Sequence, residues 1–351
     1  MNIGILGMAH GHVNGYLSQW KEHPEYGVTA TAVWDHNAER LRSASEQHGL
    51  APIADLETLL ADRSIPAVII TAETSYHAEL VERAAAAGKA IILQKPLALT
   101  LAEADRMVSA VQRTGVPFTM AWQMRVDPQN IQMKEIMASG VLGRILNVRR
   151  RHGLNAHRWP NFADMWHFKP ELNRDIWADD AAHPIDLLHW MLGVPESVTA
   201  EMMTLSSPQM PMDNGIAILR YPNGPLAEVC CSFTCVAAEN TTEIIGEKGV
   251  IIQSFGDAVS MTAPRQPEVS GLKWFLADTN EWIYSDIPTP ASHFDRIMGL
   301  AHPLADFLNG KRPPIATAEE ARTSLRIVLA TYVSLREGRR VMMDDAGIAA
   351  V

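Results

Sequence analysis

The chain has 351 residues, 47% of them apolar and 20% charged, with a formal net charge of −10. That length allows two domains and a sizeable core, and the acidic balance excludes nucleic acid and anionic membrane surfaces as partners. No apolar stretch reaches the ~20 residues of a membrane span, and Met1-Asn2-Ile3-Gly4 enters a strand without a basic leader, so the expected setting is the cytoplasm.

Strands are predicted over Asn2–Leu6, Val28–Trp34, Ala67–Thr71, Ala90–Leu93 and Pro117–Met120. Helical periodicity fills the gaps over His12–His23, Asn37–His48, Leu56–Ala61, Tyr76–Ala87 and Leu101–Thr114. This alternation predicts a parallel, doubly wound sheet, with Gly88 and Gly115 closing two of the helices. The first strand meets the first helix through Gly4-Ile5-Leu6-Gly7-Met8-Ala9-His10-Gly11-His12. A dinucleotide site needs glycine here for a tight turn, with the pyrophosphate at the helix N-terminus. Gly7 fits the first glycine, Ala9 stands at the second, and the third falls near Gly11 or His12.

Asp35 ends the second strand, somewhat farther along than the usual ~20 residues. Its carboxylate can accept from the ribose hydroxyls and would repel a 2′-phosphate, which favours NAD over NADP; it is also placed to cap the second helix beside Asn37. The run Lys89-Ala90-Ile91-Ile92-Leu93-Gln94 stops at Lys95-Pro96. Lys95 therefore belongs at the carboxyl end of a central strand, where open α/β sheets bind ligands. Its ammonium can meet a developing negative charge there, or snorkel to solvent.

Beyond Trp122 the rhythm changes. A helix over Pro128–Ser139 leads through Gly140 and Gly143 to a strand over Ile145–Arg151, then to long loops between His152 and Asp175. A helix follows over Ala181–Leu192. Alternating runs come next, including Gly215–Tyr221, Ala227–Cys235 and Thr242–Ile245, with hairpin signals at Pro222-Asn223-Gly224 and Glu247-Lys248-Gly249. Helices over His302–Asn309 and Ala318–Glu337 close the chain. This half reads as α+β with an antiparallel sheet. Cys230, Cys231 and Cys235 alternate across a strand, which suits reduced thiols packed as small hydrophobes better than a metal claw.

In Trp177-Ala178-Asp179-Asp180-Ala181-Ala182-His183-Pro184-Ile185-Asp186, a helix starting near Asp179 would set Asp179 and His183 on one face, with Asp186 near them. Histidine suits the base that takes a hydroxyl proton, and a carboxylate can orient it. Pro184 is best tolerated in a first turn, so the helix could instead begin near Ala182, with Asp179 or Asp180 as its cap. Upstream, His152, His157, Arg158, Trp159, Trp166 and His167 suit a sugar ring or an acidic substituent, or pack as loop residues. Their spacing matches no metal pattern, so no metal is predicted.

Taken together, these residues resemble the Gfo/Idh/MocA family of NAD(P)-dependent oxidoreductases along nearly the whole chain. The family's Glu-Lys-Pro appears as Gln94-Lys95-Pro96, and its Thr-Pro-Asn with a following histidine as Thr71-Ala72-Glu73-Thr74-Ser75-Tyr76-His77. Its arginine-proline crossover appears as Trp122-Gln123-Met124-Arg125-Val126-Asp127-Pro128, and its Asp-x-Gly-x-His-x-x-Asp-Leu as Asp179 to Leu187. The closing segment Ser334 to Val341 is similar too. The resemblance implies a Rossmann domain over residues 1–122 and a substrate-binding and oligomerisation domain over 123–351 with a large, mostly antiparallel open sheet. It implies dimers or tetramers through that sheet.

It also implies Lys95, Asp179 and His183 as the catalytic trio. The cofactor would lie against Gly7, Met8, Ala9, His10, Asp35, Thr71, Ala72, Glu73, His77, Gln94, Lys95 and Gln123. The substrate would meet Arg125, Trp159, Trp166, His167, Asp179 and His183. Departures are Gln94 in place of an acid, Ala9 and Ala181 in place of glycines, and the bulky Asn173-Arg174-Asp175-Ile176-Trp177 before the aspartate. The expected activity is NAD-dependent interconversion of a secondary alcohol and a ketone on a sugar, polyol or sugar acid. Transient oxidation with retained NAD and a non-catalytic NAD-binding sensor are the alternatives; the intact trio argues against the sensor.

Overall fold

The computed structural model describes residues 1–237, 239–254, 271–290 and 292–351. The chain begins β1 (Asn2–Leu6), α1 (His12–Glu22), β2 (Thr29–Trp34), α2 (Ala38–His48), β3 (Ala51–Pro52), α3 (Leu56–Ala61) and β4 (Ala67–Ile70). It continues with α4 (His77–Ala86), β5 (Ala90–Leu93), α5 (Leu101–Thr114), β6 (Phe118–Met120), α6 (Pro128–Ala138), β7 (Ile145–Gly153), α7 (Pro170–Asn173) and α8 (Ala182–Leu192). Strands β8 (Ser197–Met203), β9 (Asn214–Arg220), β10 (Leu226–Ser232), β11 (Thr241–Gly246), β12 (Gly249–Ser254), β13 (Leu272–Leu276) and β14 (Glu281–Tyr284) follow. Last come α9 (His293–Met298), α10 (Ala301–Leu308), α11 (Ala318–Glu337) and β15 (Val341–Met342). Two compact units result: Met1–Val126 with Pro170–Asn173 and Arg296–Leu325, and Asp127–Lys169 with Arg174–Asp295 and Arg326–Val351.

The first unit holds a six-stranded parallel sheet in the order β3-β2-β1-β4-β5-β6. Its central strands are covered on both faces, which is why β4 and β5 read as unbroken apolar runs: Val68, Ile69, Ile91 and Ile92 are all but inaccessible. The strand order reverses beside β1, so the turns after β1 and β4 flank the crevice where such sheets bind ligands. Helix α5 starts with a capping box between Thr100 and Glu103 and ends at Gly115 with φ +68°. Residues 296–325, expected with the second domain, belong to this unit. Trp20 donates through Nε1 to the Ala301 carbonyl at 2.9 Å, and the Met120 N–H meets the Ala316 carbonyl at 3.0 Å. The returning segment thus covers the free edge of β6.

The second unit is built on a nine-stranded sheet in the order β14-β13-β12-β11-β7-β10-β9-β8-β15. Every pair is antiparallel except β7 with β10. Along β10, Ala227, Val229 and Cys231 point inward and alternate with more exposed residues. Both predicted hairpins are present, joining β9 to β10 and β11 to β12. Cys231 is buried and its thiol is pushed well up by burial, so it packs as an unreactive hydrophobe. On the outer face Leu146, Ile216, Ile218 and Leu226 stand 41–48% exposed. Among the described residues no helix is long and apolar enough to cross a membrane, and no group of three or more His, Cys, Asp or Glu is arranged to hold a metal ion.

Candidate functional site

Gly7 follows β1 with φ +84° and its N–H on the Trp34 carbonyl at 2.7 Å. A Cβ here would stand 2.5 Å from Ala72 Cα, so only glycine lets this turn close on the turn after β4. The two turns are tied again where His10 N–H donates to the Thr71 carbonyl at 2.9 Å and the Thr71 hydroxyl donates to the Gly7 carbonyl. Met8, Ala9 and His10 then lead to Gly11, the N-cap of α1, which has no side-chain cap and no acid in its first turn. The absence of an acidic side chain from this first turn suits a pyrophosphate at the positive end of the helix dipole. The residues present fit a dinucleotide.

Asp35 is buried and heavily engaged. Its Oδ2 accepts from Met8 N–H at 2.8 Å and Arg40 Nε at 3.0 Å; its Oδ1 accepts from Asn37 N–H at 2.7 Å and Arg40 Nη2 at 2.9 Å. Arg40 also reaches Glu73 at 2.6 Å. Burial disfavours the Arg40 charge, but hydrogen bonds and charge from Asp35 and Glu73 outweigh it and hold its pKa above the ordinary value. The cap of α2 is Asn37, which accepts from the N–H groups of Glu39 and Arg40. Arg40 was missed by the sequence reading, although its place in the first turn of α2 was the signal. Beside it the His36 ring stacks on Tyr76 at 4.3 Å.

Gln94 is fully buried and anchored at both ends. Its amide donates to the Tyr16 hydroxyl at 2.9 Å, and its carbonyl accepts from Lys95 N–H at 2.9 Å. Burial raises the Tyr16 pKa, so the pair stays uncharged. Lys95 follows at the end of β5, only 3% exposed. His77, expected beside the nicotinamide, has both ring nitrogens against the backbone: Nε2 faces the Ala72 carbonyl at 3.1 Å, and Nδ1 faces those of Pro96 and Leu97 at 2.9 and 3.2 Å. Burial pushes its pKa down against these acceptors. Its ring joins the turn after β4 to the turn that carries Lys95.

Gln123 and Arg125 lie in a buried 3-10 turn of the same unit. The Arg125 guanidinium, expected at the substrate, is paired with Glu320 at 3.2 Å and the Ile315 carbonyl at 3.4 Å.

In the second unit Trp177–Ala181 form a π-helical turn that runs into α8. A Cβ on Gly215 would stand 2.5 Å from the Trp177 ring, which also donates to the Thr331 hydroxyl at 3.0 Å, so this turn is wedged in place. Asp179 and His183 are each 3% exposed, and Asp186 is inaccessible. The helix begins at Ala182, and its N-cap residue is Ala181 rather than either aspartate. Asp180, which the sequence reading did not include in the site, lies with Oδ1 3.7 Å from His183 Nε2 and Oδ2 2.8 Å from His152 Nε2 on β7. Just before the turn, Asp175 accepts from the Tyr332 hydroxyl at 2.6 Å and Ala178 N–H at 2.9 Å, and burial raises its pKa to about 6. The long loops are a chain of 3-10 turns in which Trp159, Trp166 and His167 are half-buried, with the last two rings stacked at 4.0 Å.

Two family models match the chain: an oxidoreductase family with an NAD-binding Rossmann fold over residues 1–122, and the Gfo/Idh/MocA C-terminal domain over residues 130–252. A D-apiose dehydrogenase of Paraburkholderia graminis is 27% identical over 94% of this chain and 86% of its own length. A myo-inositol 2-dehydrogenase of Thermotoga maritima is 24% identical over 98% of this chain and 99% of its own. Among solved structures, a levoglucosan dehydrogenase in complex with NADH and levoglucosan shares the fold with a TM-score of 0.83 at 21% identity, covering 98% of this chain and all of that one.

Proposed function

The chain belongs to the Gfo/Idh/MocA family of NAD-binding oxidoreductases, and from that premise we propose that it interconverts a secondary alcohol and a ketone on a sugar, polyol or sugar-acid-like substrate. The observation that carries this reading is Lys95, an ammonium buried at the carboxyl end of a central parallel strand beside a neutral, doubly anchored amide. The carboxyl ends of parallel strands are where such sheets work on ligands. In this reading Lys95 stabilises the developing alkoxide, His183 exchanges the hydroxyl proton, and Asp179 orients His183. Bound NAD supplies the hydride acceptor. Gly7 and the start of α1 would hold its pyrophosphate, and Asp35 would face its ribose. The polyhydroxylated substrates named for the apiose and inositol relatives support the substrate class. The half-buried Trp159 and Trp166 offer ring faces of the kind that pack on sugars. The exposed outer face of the nine-stranded sheet serves as the surface of a homodimer or homotetramer.

The test is NADH formation over a panel of inositols, aldoses and uronates, repeated with NADP. His183→Ala should lower turnover by ~10² to 10⁴ with NADH binding intact by fluorescence titration. Undiminished turnover would sink the assignment, and equal activity with NADP would remove the role given to Asp35. Substrate consumed without net NADH would mean redox-neutral chemistry.

A further inference from the structure

We propose that Asp180 and His152 form a positioning pair that sets the protonation of His183, which rests on the reading of His183 as the proton-exchanging group. The three side chains come from three places in the second unit: His152 from β7, Asp180 from the π-helical turn and His183 from the first turn of α8. None is more than 8% exposed as a residue. One Asp180 oxygen meets His152 Nε2 at 2.8 Å and the other faces His183 Nε2 at 3.7 Å, while the two imidazoles lie 6.4 Å apart between centroids. The carboxylate lies between the two histidines, whose rings are tilted at 40° to each other.

The roles of the two histidines differ. His152 Nδ1 is buried without a hydrogen-bond partner. A neutral ring with its proton on Nε2 donates to Asp180 and leaves only a lone pair at Nδ1, whereas a protonated ring would bury an N–H with no acceptor. In that form His152 fixes the carboxylate through Nε2. Asp179 precedes Asp180 on the same turn, Cys231 on β10 lies near it and is paired in register with His152, and Arg150 shares the buried face of β7 with His152. Arg150 is bound to the Thr242 hydroxyl at 2.9 Å, and Cys231 keeps its proton because it is buried. Asp180 thus faces His183 as a fixed negative charge. When the substrate O–H breaks and the proton bonds to His183, the imidazolium forms beside that charge, while Asp180 remains a carboxylate and His152 keeps its Nε2 proton. The π-turn makes the doubled acid of this chain useful: Asp179 and Asp180 are neighbours in sequence with separate tasks.

The test is an NMR pH titration of the protein labelled in its histidine rings, with His183 assigned through His183→Asn. Asp180→Asn should lower the His183 midpoint by about one unit, since an opposite charge at this distance favours the charged form. His152→Gln should lower it less, and the double variant should match Asp180→Asn alone, because His152 acts only through Asp180. An unchanged midpoint in Asp180→Asn, or shifts that simply add, would overturn the proposal. In the unmodified protein the His152 ring must carry its proton on Nε2; a proton on Nδ1 overturns it without any variant. With myo-inositol, or the panel sugar that gives the fastest NADH formation, the acid limb of the rate profile should move to lower pH by the same shift in Asp180→Asn. If no sugar gives NADH, the functional reading fails while the titration still decides the role of the pair.

Discussion

Replacing Asp175 by asparagine isolates one buried carboxyl. Asp175 is 5% exposed, accepts from the Tyr332 hydroxyl and Ala178 N–H, and has its pKa raised by burial from 3.8 to about 6. That difference is worth about 3 kcal/mol at ~1.4 kcal/mol per unit. The folded chain holds this proton more tightly than the unfolded chain does. The stabilisation is therefore complete below the unfolded value and is lost as pH rises through about 6. Asparagine keeps an acceptor for Tyr332 and never ionises. The variant's stability relative to the parent should thus grow by about 3 kcal/mol between about pH 4 and about pH 8, with most of the change in the window between the two pKa values. Urea unfolding followed by tryptophan fluorescence at stepped pH reads this directly. A difference that stays flat across that window, or falls with rising pH, would refute the burial argument.

Gly7→Ala should cost at least about 2 kcal/mol, from a Cβ 2.5 Å from Ala72 Cα and from the positive φ. It should also abolish NADH binding by fluorescence titration; unchanged affinity would remove the turn from the cofactor site. Ile218→Asp changes an exposed residue of the outer sheet face and should alter stability by less than ~0.5 kcal/mol. Light scattering should nevertheless report the molar mass of a single chain, and an undiminished assembly would place the interface elsewhere.

Legibility in the sequence followed the range of the forces involved. Strands β1 and β5 and helices α3, α5 and α11 match the predicted bounds residue for residue. Each is announced locally, by an apolar run stopped by a glycine or proline, or by a cap such as Thr100 with Glu103. The two-residue strands β3 and β15 are too short to carry a period and went unpredicted. Tertiary pairing was also hidden: β7 runs parallel to β10, and the reach of Arg40 to Glu73 joins residues with no common local pattern. In the candidate site, Lys95, Asp179 and His183 stood out by residue type and position. The His152–Asp180 contact could not, because a strand and a π-turn meet only after the sheet has formed. The π-turn also changes the angular meaning of a four-residue spacing, so Asp180 as well as Asp179 must be considered beside His183.

The return of residues 296–325 to the first unit has a consequence during synthesis. The six strands of that unit leave the ribosome early, but the segment that hydrogen-bonds to Thr119 and Met120 emerges only after nearly all of the second unit. At ~5–20 residues per second the edge of β6 waits roughly ten to forty seconds for its cover. During that interval the nascent chain carries an open parallel sheet able to pair with a neighbour on the same polysome. Expression yield should therefore depend on elongation speed and chaperone supply more than the stability of the finished protein would suggest.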